Sequence, residues 1–312
     1  METARRRHAR AAARPCPAFT CVILSIFAFS SAASAASPPV APAPLASPAV
    51  FSLFNNVRSY DLFGYEEKTP TGPDKWADLD SDWAICSDGK EQSPIDISKV
   101  DARKDMVPLE HAYTAGACTM QNRGHDFVLK WKDGNGKLTV EKKDYTLQQV
   151  HWHLPSEHTI NGTRFDMEMH LVHEDSSKAR AVISVLFSTK QPGHVSKTLT
   201  DMGPYFKRLA RKDNEDEDVK EPVDPSSWVD KASGYYRYEG SLKTPPCSEG
   251  VLWTVMSKVK HVTPEQIKLL EGVAEKPELN ARPTQKINGR VVRHYEGETK
   301  DGSAKSGNEK KE

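Results

Sequence analysis

The stretch Leu147–His173, LQQVHWHLPSEHTINGTRFDMEMHLVH, decides how the rest of the chain is read. Gln149, His151 and His153 alternate with Val150 and Trp152, and period-two alternation places the three polar residues on one face of a strand. After a turn, Glu168, His170 and Val172 alternate with Met167, Met169 and Leu171 and share a face of a second strand. Asn161-Gly162 is a reversal signal, because both residues tolerate positive φ. If the two strands pair antiparallel across it, His151 and His153 of one meet His170 of the other. Three imidazoles converging on one point leave a fourth tetrahedral position open, the pattern of a catalytic rather than a structural zinc site. Gln149 and Glu168 each precede a ligand histidine by two residues on the same face, placed to take up the second N–H of a metal-bound ring. His158 is expected as a hydrogen-bonded core residue, and His173 has the opposite parity to His170.

The surroundings of this stretch indicate one mainly β domain with peripheral helices. Short β-like runs separated by turns fill 109–145, with reversals expected at Gly124 and at Asp133-Gly-Asn-Gly136. Ala181–Ser188 is a continuous apolar run of strand length. Strands are also expected at Tyr235–Tyr238, Val251–Lys260 and Arg290–Tyr295. Helices are expected at Thr198–Leu209, from its apolar spacing, and at Thr263–Val273, where Thr263-Pro264 provides the cap. Residues 211–226 read as a charged surface loop.

The 312 residues carry 43 basic and 43 acidic side chains. Charge balance leaves no footprint for nucleic acid or a membrane surface. Residues 1–36 read as a cleavable signal segment: Arg5 to Arg14 is basic, Phe19–Phe29 is apolar but too short to span a bilayer, and SAASAAS at 31–37 offers small-residue cleavage sites. No membrane span is expected once it is removed. This predicts the secretory pathway, ending in the extracellular space or apoplast; a plastid, reached by a transit peptide or a secretory route, is the alternative. Residues 37–63 read as a Pro/Ala-rich linker and a segment without a place. The charged tail from 296 to 312 has no large apolar anchor and is expected to be disordered. Cys86, Cys118 and Cys247 remain after signal removal, an odd number that suits one disulfide and one free thiol. Asn161-Gly-Thr163 is a glycosylation sequon on the expected turn, to be read as a glycan site or as plain turn residues.

The central stretch resembles the zinc-binding core of the α-class carbonic anhydrases, most closely plant and algal-type members. EQSPIDI (Glu91–Ile97), NRGHDF (Asn122–Phe127), YYRYEGSL with TPPCSEGVLW (Tyr235–Trp253) and NARP (Asn280–Pro283) agree and stand in the family's order. The resemblance covers about 64–295 and implies a single domain built on a large twisted, mostly antiparallel sheet. It implies zinc as cofactor, held by His151, His153 and His170. It further implies reversible hydration of carbon dioxide to bicarbonate and a proton, through a zinc-bound hydroxide. His125 matches the proton-shuttle histidine, Glu157 a buried carboxylate that orients the hydrogen-bond chain, and Tyr65 a tyrosine of the water network. Leu242, Val172, Val182 and Trp253 match the apolar wall for the substrate, and Cys86 and Cys247 a disulfide of secreted members.

One departure stands out. The family's late loop reads Ser-Leu-Thr-Thr-Pro-Pro; here Lys243 replaces the first threonine and Thr244 keeps the second. An ammonium has three donors and no acceptor, so it cannot take the hydroxide's proton into the chain leading to Glu157. Lys243 is expected to pair with Glu157, to turn toward the cavity mouth, or to lower the pKa of the metal's water while misdirecting it. An attenuated enzyme is the expectation; the alternative is a weak or inactive carbonic-anhydrase-like binding or storage protein.

Overall fold

A computed structural model describes residues 62–298, except 104 and 274–278. The expected signal segment, the linker up to residue 61 and the tail beyond 298 lie outside the described residues. In chain order the strands are β1 (Asp96–Ile97), β2 (Asp101–Ala102), β3 (Glu110–Ala112), β4 (Cys118–Asn122), β5 (Phe127–Val140), β6 (Lys143–His153), β7 (Thr159–Ile160) and β8 (Thr163–Arg164). They continue as β9 (Met167–Glu174), β10 (Arg180–Ser188), β11 (Asp216–Asp218), β12 (Ser233–Ser241), β13 (Glu249–Met256), β14 (Lys260–His261) and β15 (Arg293–Gly297). The helices are α1 (Trp76–Leu79), α2 (Ile85–Asp88), α3 (Lys197–Leu209) and α4 (Pro264–Glu271).

Twelve strands form one large mixed sheet whose main path runs β11-β4-β5-β6-β9-β10-β13-β12-β15-β2. Most neighbours are antiparallel, but the central pair β10–β13 is parallel, with Val182 opposite Trp253. Strand alternation divides the sheet into two faces. Val150 and Trp152 of β6, Met169 and Leu171 of β9, and Ile183 and Val185 of β10 enter the larger core. The residues between them, His151, His153, His170, Val172 and Val182, face a cavity. Helix α3 covers the core face: Phe206 lies 5.0 Å from the Phe127 ring and 5.4 Å from Trp152. Fully burying side chains of this size contributes about 1.5–3 kcal/mol each, so one register slip in β6 would expose the core residues and bury the histidines on the wrong side. Thr263 caps α4 reciprocally with Gln266, satisfying two backbone donors that a helix start leaves open.

Four local expectations need correction. Asn161-Gly162 does reverse the chain, but in a small side hairpin, β7–β8, of a separate three-stranded sheet. The histidine-bearing strands β6 and β9 are joined by the whole excursion 154–166. Asp133-Gly-Asn-Gly136 is no turn: β5 runs straight through it as a bulge, with register shifts on either side of Asn135. Gly134 and Gly136 sit at φ 75° and 60°, and a Cβ on Gly136 would stand 2.1 Å from the Ala112 carbonyl oxygen, so glycine here permits close approach of β3. The charged loop 211–226 contributes an edge strand, β11, on β4. The folded region also begins before Gly64 and ends after Tyr295: Phe63 packs beside Tyr65 and Trp76, and β15 reaches Gly297. Among the described residues no helix is long and apolar enough to cross a membrane.

Candidate metal centre

Strands β6 and β9 pair so that His151 lies opposite His170 and His153 opposite Glu168. That register brings one nitrogen from each of His151, His153 and His170 within 4.8 Å of the others. All three line a cavity of about 480 Å³, together with Val172, Val182, Leu242 and Trp253, the four residues expected as its apolar wall.

The tautomer of His153 is set by its neighbour. Its Nδ1–H donates to the Asn280 carbonyl oxygen at 2.7 Å, which leaves Nε2 as a bare, buried acceptor without a hydrogen-bond partner. A buried acceptor in this condition costs free energy unless something electrophilic meets it, and a divalent metal does so. Burial pushes the His151 and His170 rings well below the usual imidazole pKa, with His153 pressing on His151 and Lys243 on His170. Neutral rings are what a zinc ion requires. The donor set therefore fits zinc.

Glu168 is wholly buried and engaged from all sides. Its Oε2 accepts the backbone N–H groups of Glu157 and His158 at 2.7 Å each. Its Oε1 accepts from His158 Nδ1 at 2.6 Å and Ser184 Oγ at 2.7 Å, and lies 2.6 Å from His170 Nε2. Burial alone would raise its pKa; Lys243, His158 and His170 hold it well below the usual carboxylate range. His158 continues the chain, with Nε2 2.7 Å from the Tyr238 hydroxyl, itself 2.9 Å from Ser93 Oγ. Close grouping of His158, Glu168 and His170 is thus accounted for by hydrogen bonds. Gln149 behaves otherwise: its Oε1 and the His151 Nδ1 are both buried without a partner, so the expected orienting bond is not made.

Lys243 turns inward. Its side chain is 5% exposed, and Nζ stands 2.5 Å from Glu157 Oε2 and 3.6 Å from Glu168 Oε1. Nζ also lies 2.7 Å from His170 Nε2 and 4.4 Å from the centre of the Trp253 ring. Of the three expected orientations, pairing with Glu157 is the one found. The contact is an ion pair rather than an aligned hydrogen bond. Glu157 Oε1 accepts the backbone N–H of Arg282, and Oε2 approaches His153 Nε2 to 3.2 Å. A bulge at Gly240/Ser241 and the Cys86–Cys247 disulfide hold the loop that carries Leu242, Lys243 and Thr244. Thr244 lines the cavity, and its carbonyl accepts from Cys247 N.

His125 lies between aromatic rings, 5.5 Å from Phe63 and 6.2 Å from Tyr65. Burial pushes its pKa down to about 4, against a partial lift from Asp126. A ring held there is a weaker base than an ordinary imidazole at about 6.5. Tyr65 is buried and its hydroxyl pKa is raised well above the usual value by burial and by Glu157. Asn161 is exposed on its turn at φ 49°.

Several contributors were not singled out from the sequence. Asn280 ties the ends of two motifs together: Oδ1 accepts from Leu154 N at 2.7 Å, and Nδ2 donates to the His125 and Trp152 carbonyls. Arg282 is buried, and its guanidinium donates to Gln92 Oε1 and to the Ser93 and Cys86 carbonyls. Arg123 pairs with Asp126 at the cavity wall, and Asp126, which burial alone would lift, is held far below the carboxylate range by Arg123 and His125. The NARP and NRGHDF motifs carried all four, but as motif text rather than as assigned roles.

Three converging histidines on a large mixed sheet, under an apolar-walled cavity, could hold a metal ion within reach of a small molecule. The profile of eukaryotic-type carbonic anhydrases matches residues 71–296, and the chain belongs to that family. It is 39% identical over 236 residues to Alpha carbonic anhydrase 7 of Arabidopsis thaliana, covering 75% of this chain and 84% of that one. It is equally 39% identical over 255 residues to Dioscorin DB3S of Dioscorea polystachya, covering 81% and 93%. Among solved structures, that of dioscorin complexed with ascorbate matches at a TM-score of 0.71 and 38% identity, over 75% of this chain and 98% of that one.

Proposed function

We propose that this protein hydrates carbon dioxide reversibly at a zinc ion held by His151, His153 and His170, at a rate held down by Lys243. The convergence of three imidazoles beneath an apolar wall is the observation that carries the reading. Zinc, when bound, supplies hydroxide at neutral pH by lowering the pKa of water to about 7, a role for which carbonic anhydrase is itself the standard example. Val172, Val182, Leu242 and Trp253 offer carbon dioxide a nonpolar surface next to the cradle. Glu168, with Asn280, orients the ligand rings. His125 is the group placed to carry the released proton toward solvent. At a pKa of about 4 it stays unprotonated at neutral pH but is a weak base, so proton removal leans on dissolved buffer. Lys243 provides donors where the family has a hydroxyl acceptor, and loss of one preorganised polar partner costs about 10²–10³ in rate.

Residence in an oxidising, non-cytosolic compartment is supported by the Cys86–Cys247 disulfide; secretion through the N-terminal segment and a glycan on Asn161 extend that reading. A second reading is favoured by the same lysine: a weak or inactive relative that keeps the fold for binding or storage, as its likeness to dioscorins allows. Stopped-flow carbon dioxide hydration with measured zinc content separates the two. Measurable zinc-dependent hydration, rising about 10²-fold in Lys243→Thr, supports the enzyme. Full zinc occupancy without hydration in either protein rules it out in favour of the second.

A further inference from the structure

We propose that Lys243 is a positioning residue that holds the His170 ring in the tautomer that cannot bind metal, so that this protein takes up zinc more weakly than its three-histidine cradle alone would. The inference rests on the zinc reading above and adds to it a control over loading.

A neutral imidazole has one N–H and one bare nitrogen. For His170 the metal-facing atom is Nδ1, which lies 3.2 Å from His151 Nε2. Two ring nitrogens at that distance attract only if one carries a hydrogen. The opposite atom, Nε2, lies 2.6 Å from Glu168 Oε1 and 2.7 Å from Lys243 Nζ. These two neighbours make contrary demands. A carboxylate wants Nε2 to carry the hydrogen; an ammonium, having donors only, wants it bare.

The count of donors decides between them. A carboxylate has about four lone-pair positions. Glu168 already accepts four donors without His170: the backbone N–H groups of Glu157 and His158, Ser184 Oγ and His158 Nδ1. The His158 hydrogen is placed on Nδ1 by a consistent chain, in which the Tyr238 hydroxyl donates to His158 Nε2 and accepts from Ser93 Oγ. A hydrogen on His170 Nε2 would be a fifth donor to Glu168 and would face the Lys243 ammonium. With the hydrogen on Nδ1 instead, Lys243 donates to Nε2, and Nδ1–H donates to His151 Nε2. The Lys243 ammonium and the His170 N–H then each find an acceptor, and two of the three metal-facing nitrogens are occupied with each other.

Zinc needs both of those nitrogens bare. Loading therefore moves the His170 hydrogen from Nδ1 to Nε2 with no change in the charge of the ring. That leaves Lys243 beside an N–H and with Glu157 as its remaining close acceptor. With threonine at 243, which lacks the ammonium, the metal-ready tautomer has no such opponent. Outer partners of ligand histidines are worth about 10–100-fold in metal affinity, which sets the size of the effect.

The test uses zinc itself and the whole protein. Metal-free, ¹⁵N-labelled wild type is compared with Lys243→Met by long-range ¹H–¹⁵N correlation, with the His170 ring assigned by its loss in His170→Asn. Wild type is expected to show the Nδ1–H pattern, and an Nε2–H pattern there overturns the proposal even if the variant fails to fold. Chelator competition is expected to give zinc binding at least tenfold tighter in Lys243→Met and Lys243→Thr than in wild type. Equal or weaker binding by both folded variants overturns the proposal while leaving the zinc reading intact. No zinc uptake by any of the three overturns both.

Discussion

The Asn280 carbonyl oxygen accepts the His153 Nδ1–H at 2.7 Å across 127 residues of sequence. The same residue holds Leu154 N, the Trp152 carbonyl and the His125 carbonyl through its side chain. Asn280→Ala keeps the backbone bond but strips the three that fix its position. It is expected to weaken zinc binding about 10–100-fold, the usual cost of losing an outer partner of a ligand. Chelator competition measures this; unchanged affinity would show that the backbone alone positions His153.

The Lys243–Glu157 pair is expected to be stabilising only as a pair. Removing one partner of a buried ion pair typically costs about 3–5 kcal/mol, because the other charge stays buried. Glu168 stands 3.6 Å from Nζ and takes up part of that charge, so Glu157→Gln should fall at the lower end. The double change Glu157→Gln with Lys243→Met should recover most of the loss. Urea unfolding of the four proteins in the cycle gives the coupling, and additive effects would refute it.

Acid should weaken the fold through its buried imidazoles. Burial pushes His173 down to about 3 and His125 to about 4, against about 6.5 in an unfolded chain. Below about pH 6.5 the unfolded chain binds protons that these rings refuse, so stability is full above that pH and is lost as pH falls toward the folded values. Each ring costs about 2 kcal/mol by pH 5. Urea unfolding of the metal-free protein at pH 7.5 and pH 5 tests it; no decline would contradict the assignment of neutral, buried rings.

Cys86–Cys247 closes a separation of 161 residues, and removing such a link typically costs about 2–5 kcal/mol. Its special consequence lies in the loop from Leu242 to Cys247. Cys86→Ser with Cys247→Ser should melt lower, retain zinc on β6 and β9, and lose hydration rate as Leu242 and Thr244 loosen. Zinc content, melting and hydration measured together check this; a rate that falls only in step with zinc content would argue against the loop.

What the sequence made readable follows from periodicity. The three histidines could be placed because strand parity assigns a face without knowledge of neighbours, and β6 and β9 do pair antiparallel. The fold class followed from the same alternation. Turn signals were less reliable, because positive φ is common to turns and bulges. Gly134 and Gly136 serve a bulge, while Asn161-Gly162 turns a side hairpin. The role of Asn280 was illegible because it acts on His153 through a carbonyl, which every residue has. The direction of Lys243 depended on where Glu157, Glu168 and Trp253 lie together, and only tertiary packing supplies that.

Phe63 lies at the start of the described chain, with its ring 5.4 Å from Trp76 and 5.5 Å from His125. It helps to dry the His125 imidazole. Removing the Phe63 ring would admit water to His125 and restore basicity to its imidazole. The Phe63 ring is then a kinetic setting as much as a packing element, because its cover helps to fix how readily His125 takes up a proton.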